Sequence, residues 1–286
     1  MTVILIKDEQ LRSAAKDPEE NAGRVDSAKR WVSSRQIGKR ILRYTAGPLL
    51  VIGVWELARH LPFWNSALIA TPSAAFGSLA HLVFTGSVFP DLWQTLLRMS
   101  AGLALATLFG VSVGLLIGSS RWLYESSSTV VDFFRSVPVT TLYPIFVWLL
   151  GIGHVSKIGM VFVACLWVIM LNSAYGVLHA KSTRREMAHL FGATRFQIFK
   201  YVTFWEAMPQ TVVGLRMALS YALIVELLCE MFMGSQKGLG QRITEAYTTF
   251  RVDELWALVI LVGALGFFLN RLFVALEERA VLWIGK

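Results

Sequence analysis

Charge is scarce in this chain. Asp, Glu, Lys and Arg make up 16% of its 286 residues and hydrophobic residues 55%, with a mean hydropathy of +0.55, too apolar a balance for a soluble domain of this length. Cysteine is scarcer still. Cys165 and Cys229 both sit in apolar segments far apart in sequence, which excludes a disulfide framework and a zinc ligand set and leaves them as packing residues. His154, His179 and His189 lie between apolar runs without a second ligand at helical spacing, so no metal site is expected. No nucleophile-base combination and no paired carboxylates stand out, which argues against an enzyme. A GxxxxGK[ST] loop is missing too, since the GSQKGLG run at 234–240 has neither the spacing nor the terminal hydroxyl. The first 43 residues hold no long apolar stretch, so no cleaved signal peptide is expected and the first spanning helix is expected to serve as the insertion signal.

What is present is a set of long apolar runs with basic residues at their flanks. The formal net charge is +8, but ten of the 27 Lys and Arg precede Tyr44 and most of the rest border apolar runs, a distribution of membrane topology signals rather than of a nucleic-acid surface. A span needs roughly 20 apolar residues. Six segments qualify, predicting an all-α polytopic membrane protein: 44–61, 92–118, 137–153, 158–178, 208–233 and 255–276. The third is short, and Pro138 and Pro144 would free backbone carbonyls that lipid cannot satisfy; it either lines a water-filled route or simply kinks against protein. Gly102, Gly110, Gly114 and Gly118 in the second span include pairs four apart, the spacing of close helix packing in lipid. Trp122, Trp148, Trp167, Trp256 and Trp283 include several near span ends, where an interfacial belt is the ordinary explanation.

Orientation follows from the basic residues of the connections. There are ten in the arm 1–43, none in 62–91, two in 119–136, one in 151–157 and five in 179–200, which puts both termini in the cytoplasm. Three more lie in the expected outer loop 234–254, accompanied by Glu245, Asp253 and Glu254, and do not reverse the count. Within the arm, SAKRWVSSRQIGKRILRY sets Trp31, Ile37, Ile41 and Leu42 among six basic residues. Two readings stand for it: an interfacial amphipathic helix, or a solvated tail.

One cytoplasmic stretch, EMAHLFGATRFQIFKYVTFWEAMPQTVVGLR at 186–216, is amphipathic where its flanks are apolar. Met187, Leu190, Phe191, Phe196, Ile198 and Phe199 fall near helical spacing, Gly192-Ala193 interrupt them and Pro209 closes them, predicting two short helices joined by a turn within a loop at about 179–208. The order of Glu186, Ala188, Gly192, Ala193, Pro209 and Gly214-Leu215-Arg216 resembles the EAA loop of ATP-binding-cassette importer permeases, with Met187 where a second alanine is usual and Phe204-Trp205 where a Leu-Pro pair is usual. The blocks TLLRMSAGLALATLFGVSVGLLIG, RSVPVTTLYPIFVWLLGIGHVSKIG, LWVIMLNSAYGV and MGSQKGLGQRI extend the likeness to the nitrate, taurine and alkanesulfonate branch, over about 71–283.

That resemblance implies a type I importer permease. It has no cofactor of its own and binds two ABC ATPase subunits that hold ATP and Mg. A second permease copy in a homodimer and an extracytoplasmic solute-binding protein complete the assembly, in the inner membrane. It also implies that Glu186, Met187, Ala188, Gly192, Ala193, Pro209, Gly214 and Arg216 form the ATPase-coupling element. Glu186 is read at a helix start, favoured by the helix dipole, and the small residues as allowing close approach of the partner. Arg98, Pro138, Pro144, Asn172, Glu226 and Glu230 are the candidate pathway residues for a small anion such as nitrate, a sulfonate, bicarbonate or an organic acid. At ~1.5 Å per residue Arg98 and Glu226 each lie roughly 9 to 11 Å deep from the outer side. A charge there costs on the order of 2.5 to 3.5 kcal/mol, so they form either a structural salt bridge or an anion-attracting site. Two other functional classes compete: an ion-coupled secondary transporter or channel running through Arg98, Glu226 and Glu230, and an exporter with the same ATPase partner.

Overall fold

The computed structural model describes residues 46–47, 49–58 and 68–280. The arm 1–43, both ends of the expected first span and Trp283 lie outside these residues. The chain divides into two units, 1–72 and 73–286. The first contributes one short apolar helix, α1 (Leu49–Ala58), inside the expected first span. The second carries α2 (Pro72–Phe84), α3 (Phe89–Gly118), α4 (Arg121–Ser136), α5 (Tyr143–Leu150), α6 (His154–Leu178), α7 (Ser182–Leu190), α8 (Arg195–Ile198), α9 (Phe204–Met233), α10 (Leu239–Thr248) and α11 (Val252–Ala280). A 3-10 turn at Val139–Leu142 precedes α5, and a π-helical turn at Phe199–Thr203 joins α8 to α9.

The centre is a three-helix layer of α3, α6 and α9, and the glycines set its geometry. A Cβ on Gly102 would meet Val161 at 2.7 Å, and one on Gly110 would meet Ile169 at 3.0 Å. Gly114 faces Ser173 at 2.8 Å and Gly118 faces Val177 at 2.8 Å. The partner in each pair lies 59 positions further along, so α3 and α6 run parallel, backbone against backbone. Lipid gives helices no hydrophobic reason to associate, and such close approach supplies van der Waals contact instead. Against α9 the order reverses. Gly176 meets Ala207, Gly214 meets Asn172, and Cys165 donates to the Ala218 carbonyl, so α6 and α9 are antiparallel. Met99, Ala106, Val161, Cys165, Ile169, Ala222 and Cys229 fill the layer between them.

Parallel α3 and α6 require the chain between them to return across the bundle. It does so through α4 and the 139–150 segment, which together pass for a span but bend by 81° at Val137-Pro138. Four described helices are long and apolar enough to cross alone, α3, α6, α8 to α9 and α11, and the bent pair, taken as one broken span, makes up to five. This corrects three expectations. The third span begins at Arg121, not Val137, and the connection 119–136 is itself a helix. Pro138 and Pro144 each stand at a helix start, where no intrahelical donor is needed, rather than inside a spanning helix. Pro209 does not end a helix: it lies inside α9, which continues the α8 axis over 39 residues, and the helix tolerates the one backbone bond it removes. Two expected loops also contain helices. Region 62–91 includes α2, and 234–254 includes α10; they pack on α11 through Leu82, Leu239, Ala246, Ala257 and Leu258. Trp167 sits mid-helix on α6, stacked on Phe134 at 5.3 Å, away from any span end.

Candidate functional site

The turn at 191–194 is built as a stop followed by a start. Gly192 adopts φ +79, a left-handed conformation that disfavours other residues, and its N–H donates to His189 O while Ala193 N–H donates to Ala188 O. This Schellman pair closes α7. Thr194 and Gln197 then form a reciprocal capping box that opens α8. The stop accounts for Gly192 without any partner, and it has a further effect. It throws the apolar residues outward, leaving Leu190 87% exposed, Phe191 90% and Phe196 72%, with Met187 beside them and open space over Gly192. Glu186 is exposed and lies at the fifth position of α7, so the expected benefit from the helix dipole does not apply; that effect fades within the first turn. Arg184 of α7 reaches Glu206 at the start of α9 at 3.0 Å, tying the loop to the span.

The expected coupling residues do not all gather here. Pro209 is inside α9, Gly214 packs on Asn172, and Arg216 pairs with Glu277 of α11 at 2.7 Å. Asn172 in turn donates to Val168 O and accepts from Gln210. Asn172, Gln210 and Gly214 therefore form one polar contact between α6 and α9.

At the opposite end of α3, α6 and α9 the charged residues converge. Arg98 is buried and donates from Nη1 to Glu230 (2.7 Å), from Nε to His154 Nδ1 (2.9 Å) and from Nη2 to Lys237 O (3.0 Å). Glu226, the partner expected from sequence, is 3.8 Å away and neither of its oxygens has a hydrogen-bond partner. Glu230 also accepts from Thr95 and from Gly240 N, while Thr95 accepts from Leu239 N and Asp91 from Gly238 N. Orphan N–H groups at the start of α10 are thus satisfied by side chains of α3 and α9. Arg242 fastens the other side of this strap to Asp91, Ser87 and Glu254. Burial opposes its charge, but the bonds to Asp91 and Glu254 outweigh that and raise its pKa. Sequence reading missed Thr95, Lys157 and Arg242. Lys157 was counted only as a loop charge, yet it is buried in α6 with Nζ on Gly234 O. Little in the sequence marks it: Lys157 directly precedes the apolar run 158–178 and falls on the fourth residue of α6.

Cavities of about 130 and 480 Å³ adjoin the α4–α5 bend, sharing Val139 as a wall residue. Phe134, Phe146, Trp167 and Tyr221 line the larger. Pro138, Pro144 and Asn172 line neither. A third, of about 620 Å³, opens beside Arg98 and Lys157. No group of three or more potential metal ligands occurs among the described residues.

Residues 106–281 match the family described as the binding-protein-dependent transport system inner membrane component. The nitrate import permease protein NrtB of Synechocystis is 27% identical over 67% of this chain and 69% of its own length. The bicarbonate transport system permease protein CmpB of Synechococcus elongatus is 27% identical over 94% of this chain and 98% of its own. A solved chain of the MetNI methionine ABC transporter, inward facing, superposes with a TM-score of 0.59 at 23% identity, over 67% of this chain and 94% of that one, a likeness of fold. A parallel α3–α6 seam, a broken span between them and a turn that bares apolar side chains are therefore carried by a member of the binding-protein-dependent transport inner membrane component family, the membrane-spanning permease subunit of an ABC importer whose ATP hydrolysis takes place on a separate subunit.

Proposed function

We propose that this permease imports a small anion, that α7, the Gly192 turn and α8 form the cytoplasmic surface that docks the ATPase, and that two copies assemble as a homodimer with both termini cytoplasmic. The observation that carries the docking role is the exposed cluster Met187, Leu190, Phe191 and Phe196 around Gly192, since a solvated turn has no use for so much bare apolar surface. Glu186 supplies a charge beside it for a basic group on the ATPase. The Arg184–Glu206 pair and the continuous helix 195–233 give a mechanical route from that surface to Pro209, Gly214 and Arg216 in the span, so closure of the ATPases moves α9 as a body. The solute route follows the α4–α5 bend beside Pro138 and Pro144, where the two apolar cavities lie, with Asn172 and Gln210 as polar groups further along. The anion class is supported by the nitrate and bicarbonate relatives. An ion-coupled carrier through Arg98, Glu226 and Glu230 is disfavoured, because Arg98 and Glu230 are engaged with each other and with backbone.

Co-purification tests the assignment. Wild-type chain is expected to retain an ATPase in mild detergent, and Leu190→Ser/Phe191→Ser to lose it while still inserting. Retention of the ATPase by the double variant would remove the docking surface from this turn.

A further inference from the structure

Lys157 is 3% exposed, and among the described residues its Nζ makes one hydrogen bond, at 2.8 Å to the Gly234 carbonyl. A buried ammonium ordinarily has a carboxylate against it. None of the ion pairs among the described residues involves Lys157; Glu226 and Glu230 act on it only through space. Among the described residues, two of its three N–H donors have no hydrogen-bond partner. It lines the cavity of about 620 Å³, together with Gln94, Arg98, His154 and Lys237, and no carboxylate is among the residues of that wall. Glu230 offsets Arg98 by direct contact, and Glu226 acts on Lys157 from a distance without touching it, which leaves the Lys157 ammonium and the exposed Lys237 without a contacting carboxylate on this wall. The 25-residue helix α6 also begins at this wall, capped by Gly153 with no side chain on its first N–H groups. Its positive end therefore adds to the lysines.

We infer that this cavity is an entry site for a small anion, an oxyanion or a compact carboxylate or sulfonate, held by Lys157 and the first N–H groups of α6, with Lys237 at the rim. On the orientation proposed above it opens to the outer side, where solute arrives, so the inference rests on that reading and gives the anion its first position on this chain. The same wall explains why Arg98 need not touch solute. Its guanidinium is spent holding Glu230, His154 and the Lys237 carbonyl in place, so that it shapes the site rather than binding in it.

The test is equilibrium dialysis of the permease–ATPase complex, without binding protein, against isotope-labelled nitrate and bicarbonate at ionic strength fixed with chloride. Saturable binding of at least one anion is expected. Lys157→Gln should weaken it about tenfold, the loss of one charge-assisted hydrogen bond, and Lys237→Gln should weaken it less. Glu226→Gln, which removes a negative charge within range of Lys157, should tighten it, and Arg121→Gln on α4 should leave it unchanged. No saturable binding of either anion, or wild-type affinity in Lys157→Gln, overturns the site. Should Lys157→Gln not assemble, unchanged affinity in both Lys237→Gln and Glu226→Gln overturns it equally. Anion response seen only after binding protein is added would mean that the cavity receives a protein side chain instead, and would also overturn it. Absence of the ATPase from the purified protein tells against the proposed function. An ATPase-bound complex that takes no anion tells against this site alone.

Discussion

Arg98 Nη1 stands 2.7 Å from the buried Glu230 Oε1, and 3.8 Å from Glu226 on the previous turn of the same helix. The two glutamates are therefore not equivalent. Removing Arg98 leaves Glu230 buried with Thr95 and one backbone N–H as its remaining donors. Arg98→Gln should cost about 3–5 kcal/mol, as breaking one half of a buried pair does. Thermal melting in detergent should show partial rescue by Glu230→Gln and little by Glu226→Gln. Rescue by Glu226→Gln alone would reverse the assignment.

The glycine seam allows a sharper steric test. A side chain at Gly114 would run into the Met170 carbonyl and Ser173, whereas one at Gly77 meets nothing. Gly114→Val is expected to lose about 1–3 kcal/mol to overpacking, and Gly77→Val to lose none of that contact term. Equal melting temperatures for the two variants would contradict the close approach of α3 and α6.

At the exposed turn, stop and docking are separable. Gly192→Leu should fail at both, through its left-handed backbone and through bulk on the surface, whereas Phe191→Ser keeps the hydrogen bonds and removes only apolar area. Both are expected to abolish transport with normal insertion, and Glu186→Lys to do the same. Full substrate-stimulated ATPase activity in the Glu186→Lys complex would remove that residue from the interface.

Arg216 and Glu277 tie α9 to α11 at 2.7 Å in a half-exposed position. Arg216→Glu sets two carboxylates against each other and should destabilise the protein, and the exchange Arg216→Glu/Glu277→Arg should restore it. A swap that leaves stability restored but transport lost would place Arg216 in coupling as well as in packing.

How much of this could be read beforehand depended on whether the signal was local. Gly102, Gly110, Gly114 and Gly118 announced a packing seam because small residues at that spacing are informative without knowing the neighbour. The short helix before Gly192 and the turn there were legible from the apolar period and its interruption; the second helix was expected to be short and instead continues from Arg195 to Met233, because nothing local marks where it joins the span. The partner of Arg98 was not, because Glu226 and Glu230 are one turn apart and offer the same face; the strap at 238–240 selects Glu230 by supplying it with backbone donors. Pro209 misled because a proline is a stop in an isolated helix, but here packing of α9 against α6 holds the axis through it. The bend at Val137-Pro138 was hidden for a different reason. A window of apolar residues reports total hydrophobicity and not direction, so the amphipathic α4 read as a loop.

The five-residue π turn at Phe199–Thr203 has a geometric effect on everything before it. A π turn takes up one more residue than an α turn, so the residues of α8 are rotated by about 100° relative to where an unbroken α-helix would put them. Deleting a single residue between Phe199 and Thr203 would restore the regular winding and swing Phe196 about a quarter turn around the axis, with its chemistry unchanged and its aim lost. The register of this segment, and not only its composition, is thus what points the bare aromatic surface toward whatever meets it.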